Sequence, residues 1–160
     1  MNKTQNETNV LMVCMGNICR SPMAHGVLEH KLREAGLSSV LVDSAGTHSY
    51  HVGEAPDRRA QMAAQQRGYD ISQQRARRLV AEDFERFDYI LVMDSDNYFN
   101  AQAMQPDPSR ARLHRFMEFA DHAPRQDVPD PYYGGDQGFR EVMDLVEAAA
   151  DGFIQHLKQQ

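Results

Sequence analysis

The chain has 160 residues, of which 41% are hydrophobic and 25% are charged, and its formal net charge is −6 at pH 7. This length and composition are typical of one globular domain that needs neither disulfides nor metals to form its core. The acidic balance argues against a nucleic-acid partner, and no apolar run approaches the roughly 18 residues of a membrane span. The polar start of the chain lacks the apolar segment of a signal peptide. We therefore expect a flexible tail over residues 1–9 and one domain over residues 10–160.

The first apolar run, Val10–Val13, predicts a buried strand that ends at Cys14. A short turn then leads into a helix that starts near Pro22 and ends near Gly36. Backbone N–H groups at the start of a helix can bind an anion, and the same field favours the thiolate form of Cys14. Arg20 adds a planar guanidinium that suits a tetrahedral oxyanion. This stretch therefore predicts a nucleophilic cysteine in a phosphate-binding loop, whose remaining members are Met15, Gly16, Asn17, Ile18, Cys19 and Ser21.

Strand and helix patterns alternate along the rest of the chain, which predicts an α/β fold with a parallel sheet. Ligands bind such sheets beyond the carboxyl ends of the strands, where Cys14, Ser44 and Asp94 fall. We expect Asp43–Thr47 to turn the chain, and we interpret Asp94 only as a helix cap. The further predicted strands are Val40–Val42, Tyr89–Met93 and residues 112–116. The further predicted helices cover residues 57–67 and residues 81–87, followed by a short helix after Asp94 and a long C-terminal helix marked from Phe139 onward.

A loop rich in proline and glycine, residues 123–135, contains the best candidate for a proton donor. Prolines on both sides of Asp130 would fix where its carboxylate points, although a common Asp-Pro turn has the same pattern. Tyr132 and Tyr133 follow in this loop and would wall a cleft. The arginines of residues 75–78 indicate either a solvated face or a surface that steers anionic substrates.

Several residues of the phosphate loop suit more than one role. Cys14 could be an inert core cysteine, and Asn17 could be chosen for its backbone conformation. Ser21 suits both a helix N-cap and a hydrogen bond to Cys14. Cys19 suits either the core or a thiol that traps an oxidised Cys14 as a disulfide. Neither the two cysteines nor the seven histidines have metal-ligand spacing, so we expect no metal and no cofactor. A disulfide between two cysteines five residues apart would close only a tiny loop, so we expect a reducing, cytoplasmic compartment.

Four motifs follow one another along the chain: Cys14-Met-Gly-Asn-Ile-Cys-Arg-Ser-Pro-Met-Ala, Val42-Asp-Ser-Ala-Gly-Thr, Phe87-Asp-Tyr-Ile-Leu-Val-Met-Asp and Asp130-Pro-Tyr-Tyr-Gly. In this order they resemble the low-molecular-weight protein-tyrosine phosphatases, and the resemblance covers nearly the whole chain after the first eight or nine residues. It implies a single-domain, three-layer α/β fold whose central four-stranded parallel sheet is flanked by helices. It also implies metal-free hydrolysis of phosphotyrosine and aryl phosphates through a cysteinyl-phosphate intermediate.

The same resemblance implies a role for each matching residue. Cys14 would be the nucleophile, Arg20 the phosphate clamp and Asp130 the general acid and base. Ser21 would stabilise the thiolate, and Cys19 would be the protective second cysteine. Asn17 and Ser44 would brace the loop, and the cleft wall would consist of Tyr50, Tyr132 and Tyr133.

One position departs from the family pattern, because Gln74 stands where a histidine often bonds to the loop asparagine. The Gln74 amide can still hydrogen-bond Asn17, but it cannot carry charge. The expected partners are a phosphotyrosine-containing protein, with a bacterial tyrosine kinase as one candidate, and inorganic phosphate as product and inhibitor. Two further functions use a similar loop: a thiol-dependent arsenate reductase, which passes a disulfide to further cysteines, and a non-catalytic phosphotyrosine-binding module.

Overall fold

The computed structural model describes residues 7–121 and 127–160. Residues 1–6 of the expected tail and residues 123–126 of the expected loop lie outside this described part. In the described part the strands are β1 (Thr8–Cys14), β2 (Val40–Gly46), β3 (Tyr89–Val92) and β4 (Arg112–Arg115). These four strands form one sheet in the order β2-β1-β3-β4, and every pairing is parallel. The predicted four-stranded parallel sheet is therefore confirmed.

Helices cover both faces of the sheet, as the three-layer prediction requires. Side chains alternate along β1, so Val10 and Met12 pack in the core on one face while Leu11 and Val13 pack on the other. In the described residues the helices are α1 (Arg20–Glu34), α2 (Arg58–Gln65), α3 (Asp83–Arg86), α4 (Ser95–Met104) and α5 (Gly135–Lys158), with a 3₁₀ helix over Phe116–Phe119. The first core includes residues of α1, α2 and α5, and the second includes residues of α3 and α4.

The second strand differs from the prediction. Asp43–Thr47 is not a turn, because β2 continues to Gly46 and pairs residue by residue with the second half of β1, up to Cys14 opposite Gly46. Parallel pairing with β1 outweighs the turn preference of a short polar sequence. The extension places the end of β2 directly beside the start of the phosphate loop.

Several boundaries also shift by a few residues. The first strand starts at Thr8, before the apolar run, and the last helix starts at Gly135 rather than near Phe139. Phe116, predicted at the end of the fourth strand, instead begins the 3₁₀ helix. Within the described ranges, no helix is both long enough and apolar enough to span a bilayer.

Candidate active site

The candidate site is a cleft of about 340 Å³ at the carboxyl end of β1. Because β1 lies between β2 and β3, the chain connections beyond these strand ends run in opposite directions and leave a crevice between them. The structure brings the predicted nucleophile, clamp, proton donor and aromatic wall into this one cleft, together with His51, which was not predicted. The lining residues are Cys14, Met15, Gly16, Ile18, Cys19, Arg20, Tyr50, His51, Asp130, Tyr132 and Tyr133.

The Cys14 sulfur lies at the base of the loop between β1 and α1, and its side chain is almost fully buried. Its Sγ is 3.1 Å from the hydroxyl oxygen of Ser21, and the backbone N–H of Asn17 donates to it across 3.3 Å. Two polar groups of the chain are therefore directed at this one sulfur atom. These contacts distinguish Cys14 from an inert core cysteine.

Asn17 sets the direction of the hydrogen bonds behind the loop. Its φ of 59° is a left-handed conformation, which asparagine tolerates better than most residues. The side-chain oxygen accepts from the backbone N–H of Arg77 at 3.0 Å. The amide nitrogen therefore faces the hydroxyl oxygens of Ser21 and Ser44, at 2.8 and 3.0 Å. Since Ser21 already accepts this bond, its own O–H is available to donate to Cys14.

The predicted support residues lie behind the loop rather than in the cleft. The Ser44 hydroxyl donates to the Gln74 side-chain oxygen at 3.4 Å, and the Gln74 amide donates to the carbonyl of Pro22 at 3.1 Å. In the described structure Gln74 therefore reaches Asn17 only through Ser44, not directly. The imidazole Nδ1 of His25 also lies 3.4 Å from the Ser44 hydroxyl, a contact that the sequence did not predict.

The end of β2 holds the start of the loop through its backbone. The N–H groups of Thr47 and His48 donate to the carbonyls of Cys14 and Met15, each at 2.9 Å. A Cβ atom at Gly46 would lie 2.7 Å from the carbonyl oxygen of Met15, closer than real side chains come. Glycine at this position therefore allows the loop to pack against the strand.

Arg20 is 2% exposed, and its guanidinium is anchored from behind. Nη1 donates to Oδ2 of Asp94 at 2.5 Å and to the carbonyl of Val128 at 2.9 Å. Burial alone would lower the pKa of Arg20, but the charges of Cys14 and Asp94 hold it above its ordinary value. In the parts of the chain that the structure describes, Nε and Nη2 have no protein partner, so two donors remain for a phosphate.

Asp94 has a role that the sequence did not predict. Its Oδ1 accepts the backbone N–H of Asn97 at 2.7 Å, which is the predicted helix cap, while its Oδ2 binds Arg20. The one available signal was its position at the carboxyl end of β3, beside the end of β1. One carboxylate thus caps α4 and positions the Arg20 guanidinium.

The Asp130 side chain is exposed and faces the same cleft. Its Oδ1 accepts the backbone N–H of Tyr132 at 3.0 Å, and among the described residues Oδ2 has no hydrogen-bond partner. Arg59 of α2 fixes this segment, because its guanidinium donates to the Tyr132 carbonyl at 2.8 Å and lies 5.2 Å from the centre of the Tyr132 ring. Nothing in the sequence pointed to Arg59. Tyr133 is 95% exposed at the cleft mouth.

Cys19 lies in the same loop but in a different environment. Its thiol is buried, and burial, with a smaller contribution from the negative charge of Asp57, raises its pKa well above the ordinary value. Cys19 is therefore a neutral thiol at physiological pH. Both Cys14 and Cys19 are free of disulfides.

Comparison with known proteins finds one matching family model, similar relatives and similar solved structures. The model of one protein family, described as low molecular weight phosphotyrosine protein phosphatase, matches residues 9–160. A phosphatase of that name from Schizosaccharomyces pombe is 44% identical over 150 residues, covering 92% of this chain and 96% of the relative. The crystal structure of a protein tyrosine phosphatase from Entamoeba histolytica, with Hepes in its active site, has a TM-score of 0.92 at 38% identity, covering 96% of this chain and 98% of that one. A Drosophila protein described as an arginine phosphatase has a TM-score of 0.88 at 32% identity, covering 93% and 97%.

Proposed function

The chain belongs to the low molecular weight phosphotyrosine protein phosphatase family, and we propose that it hydrolyses phosphotyrosine with Cys14 as the nucleophile. The observation that carries this assignment is the buried Cys14 sulfur between two hydrogen-bond partners, Ser21 Oγ at 3.1 Å and Asn17 N–H at 3.3 Å. Arg20 lines the same cleft with two unpaired donors in the described structure. A thiolate beside an arginine clamp is suited to phosphoryl transfer.

In the first step the Cys14 thiolate attacks phosphorus, so that an S–P bond forms while the bond from phosphorus to the phenolic oxygen breaks. The leaving oxygen takes a proton from Asp130, which becomes a carboxylate. Nε and Nη2 of Arg20, together with the backbone N–H groups of the loop, stabilise the charge on the equatorial oxygens. The products of this step are tyrosine and a cysteinyl phosphate.

In the second step the Asp130 carboxylate takes a proton from water, and the water oxygen attacks phosphorus. The S–P bond breaks, the Cys14 thiolate is restored, and inorganic phosphate leaves. Because phosphate fits the same cradle, we expect it to inhibit as a product. The walls formed by Tyr50, Tyr132 and Tyr133 support an aromatic substrate, since rings pack favourably against rings.

We further propose the setting in which this reaction takes place. The substrate is a phosphotyrosine-containing protein, with a bacterial tyrosine kinase as one candidate. A catalytic thiolate has to stay reduced, which favours the cytoplasm. Residues 10–160 would form the catalytic domain. Thr8 and Asn9, the last two residues of the expected tail over residues 1–9, pair with β2. If peroxide oxidises Cys14 to a sulfenic acid, attack by the Cys19 sulfur would form a disulfide and release water.

The test is hydrolysis of para-nitrophenyl phosphate, a phosphotyrosine peptide and a phosphoarginine peptide by the wild type and by Cys14→Ser, with EDTA present. We expect the wild type to hydrolyse the first two and Cys14→Ser to hydrolyse none while still binding phosphate. Acid quenching of Asp130→Asn during turnover should leave a phosphate on the Cys14 peptide in mass spectrometry. Retained turnover by Cys14→Ser would overturn the nucleophile assignment.

The remaining outcomes identify different functions. Phosphate binding without turnover by the wild type indicates a binding module. Thiol-dependent reduction of arsenate without phosphatase activity indicates a reductase. A strong preference for the phosphoarginine peptide would move this chain toward the activity named for the Drosophila relative.

A further inference from the structure

A second groove, of about 440 Å³, lies beside the catalytic cleft and shares the Tyr50 side chain with it. Tyr50 is 70% exposed, and its ring stacks on that of His48, with the ring centres 5.3 Å apart. The groove is formed by the segment after β2, by the arginine-rich segment and by α4. Its lining residues are Thr47, His48, Ser49, Tyr50, Arg78, Asn100 and Met104.

Arg78 is the charged residue of this groove, and its backbone is fixed. It forms a β-bridge with Gly46, and the next residue, Leu79, donates its N–H to the Gly46 carbonyl at 2.7 Å. Gly46 in turn packs directly against the phosphate loop. The base of the Arg78 side chain therefore keeps a constant position relative to the catalytic cleft.

The Arg78 guanidinium is exposed, and across residues 7–121 and 127–160 it has no carboxylate partner. Its neighbour Arg77 differs, because that guanidinium binds the carboxylates of Asp43 and Asp83. The chain as a whole carries a net charge of −6, so Arg78 is a local positive charge against an acidic background. An unpaired cation in a groove next to a substrate cleft is suited to an anionic part of the substrate.

We propose that this groove binds a glutamate or aspartate that flanks the phosphotyrosine of the substrate, with Arg78 as its ion-pair partner. The proposal rests on the proposed function and names the substrate sequence that the enzyme prefers. A phosphotyrosine in the catalytic cleft has to pass Tyr50 for its peptide to enter the groove. Because the groove adjoins the cleft at Tyr50, the acidic residue lies close to the phosphotyrosine in the peptide sequence.

The test compares matched phosphotyrosine peptides that carry either glutamate or glutamine at one position, taken in turn on both sides of the phosphotyrosine. At the preferred position the wild type should show a kcat/KM about two- to fivefold higher for the glutamate peptide, the range expected of an exposed ion pair. Arg78→Gln should bring this ratio to about one, and Arg78→Glu should invert it. Added salt should lower the wild-type ratio, because salt screens exposed charges.

Arg86→Gln is the matched control. Arg86 is also an exposed arginine, but it lies near Asn9, at the opposite end of β1 from Cys14. A glutamate preference that survives in Arg78→Gln, or that falls equally in Arg86→Gln, would overturn the proposal, because the effect would then come from overall charge or from elsewhere. Failure of the wild type to hydrolyse any peptide or para-nitrophenyl phosphate would instead overturn the proposed function.

Discussion

The backbone N–H of Arg77 donates to the side-chain oxygen of Asn17 at 3.0 Å, although the two residues are 60 positions apart in the chain. This bond determines which end of the Asn17 amide faces the active site, and so it directs the Ser21 hydroxyl toward the Cys14 sulfur. Arg77 itself is held by a carboxylate of β2 and by the fully buried Asp83. The hydrogen bonds at the Cys14 sulfur therefore depend on a segment that does not line the cleft.

Ser21→Ala should slow the enzyme because it removes a hydrogen bond to Cys14. A hydrogen bond to a charged group contributes about 1.5–3 kcal/mol, so we expect kcat to fall about 10- to 100-fold. Alkylation of Cys14 by iodoacetate should slow as well, because the sulfur loses one of its two hydrogen-bond partners. Initial rates with para-nitrophenyl phosphate and the time course of alkylation measure the two effects.

Ser44→Ala is the control for that change. It removes the other acceptor of the Asn17 amide but does not contact the Cys14 sulfur. Its effect on kcat and on alkylation should therefore be clearly smaller than that of Ser21→Ala. Equal losses would mean that both serines act only by holding the loop in shape.

The loss of kcat in Asp130→Asn should depend on the leaving group of the substrate. With phenyl phosphate, whose leaving oxygen needs a proton, we expect kcat to fall about 10²- to 10⁴-fold. With para-nitrophenyl phosphate the fall should be much smaller, because that oxygen leaves without protonation. A stopped-flow comparison of the two substrates provides the measurement, and equal losses on both would contradict the general-acid role.

The sequence is most informative where the site is formed by neighbouring residues. The strand, turn and helix around Cys14 follow from an apolar run, a glycine and asparagine pair and a proline, so the phosphate loop is predictable without the rest of the fold. The parallel sheet follows from the alternation of strands and helices. Asp130 is predictable only as a candidate, since its distance from Cys14 depends on the fold.

Contacts between distant segments could not be predicted in the same way. Asp94 has an ordinary cap sequence, and its bond to Arg20 exists only because β1 and β3 are neighbours. Arg59 resembles any exposed helical arginine until the fold places it against Tyr132. The extension of β2 to Gly46 also depends on pairing with β1, which local turn preferences do not reveal.

Asp94→Asn should separate the two roles of Asp94. Asparagine is as good an N-cap as aspartate, so the contribution of the α4 cap to the thermal midpoint should change little. The variant loses the charge that holds Arg20, and we expect kcat/KM to fall about tenfold or more and the inhibition constant of phosphate to rise by a similar factor. Asp94→Ala should add a loss of about 1 kcal/mol of stability from the missing cap. Wild-type phosphate binding by Asp94→Asn would show that Val128 alone positions Arg20.

Ionisation of the Cys19 thiol in the unfolded chain should make the folded protein less stable at alkaline pH. Its pKa is raised in the folded state, whereas the unfolded chain loses the proton near the ordinary value of 9.0. Unfolding therefore releases a proton above about pH 9, and the stabilising contribution present below that pH is lost as the pH rises. We expect the free energy of unfolding of the wild type to fall by about 1.4 kcal/mol more than that of Cys19→Ala between pH 8 and pH 10, because the unfolded thiol ionises within this range. Urea unfolding of both proteins between pH 8 and about 10 measures this difference, and parallel curves would show that the folded state lets Cys19 ionise as freely as the unfolded chain does.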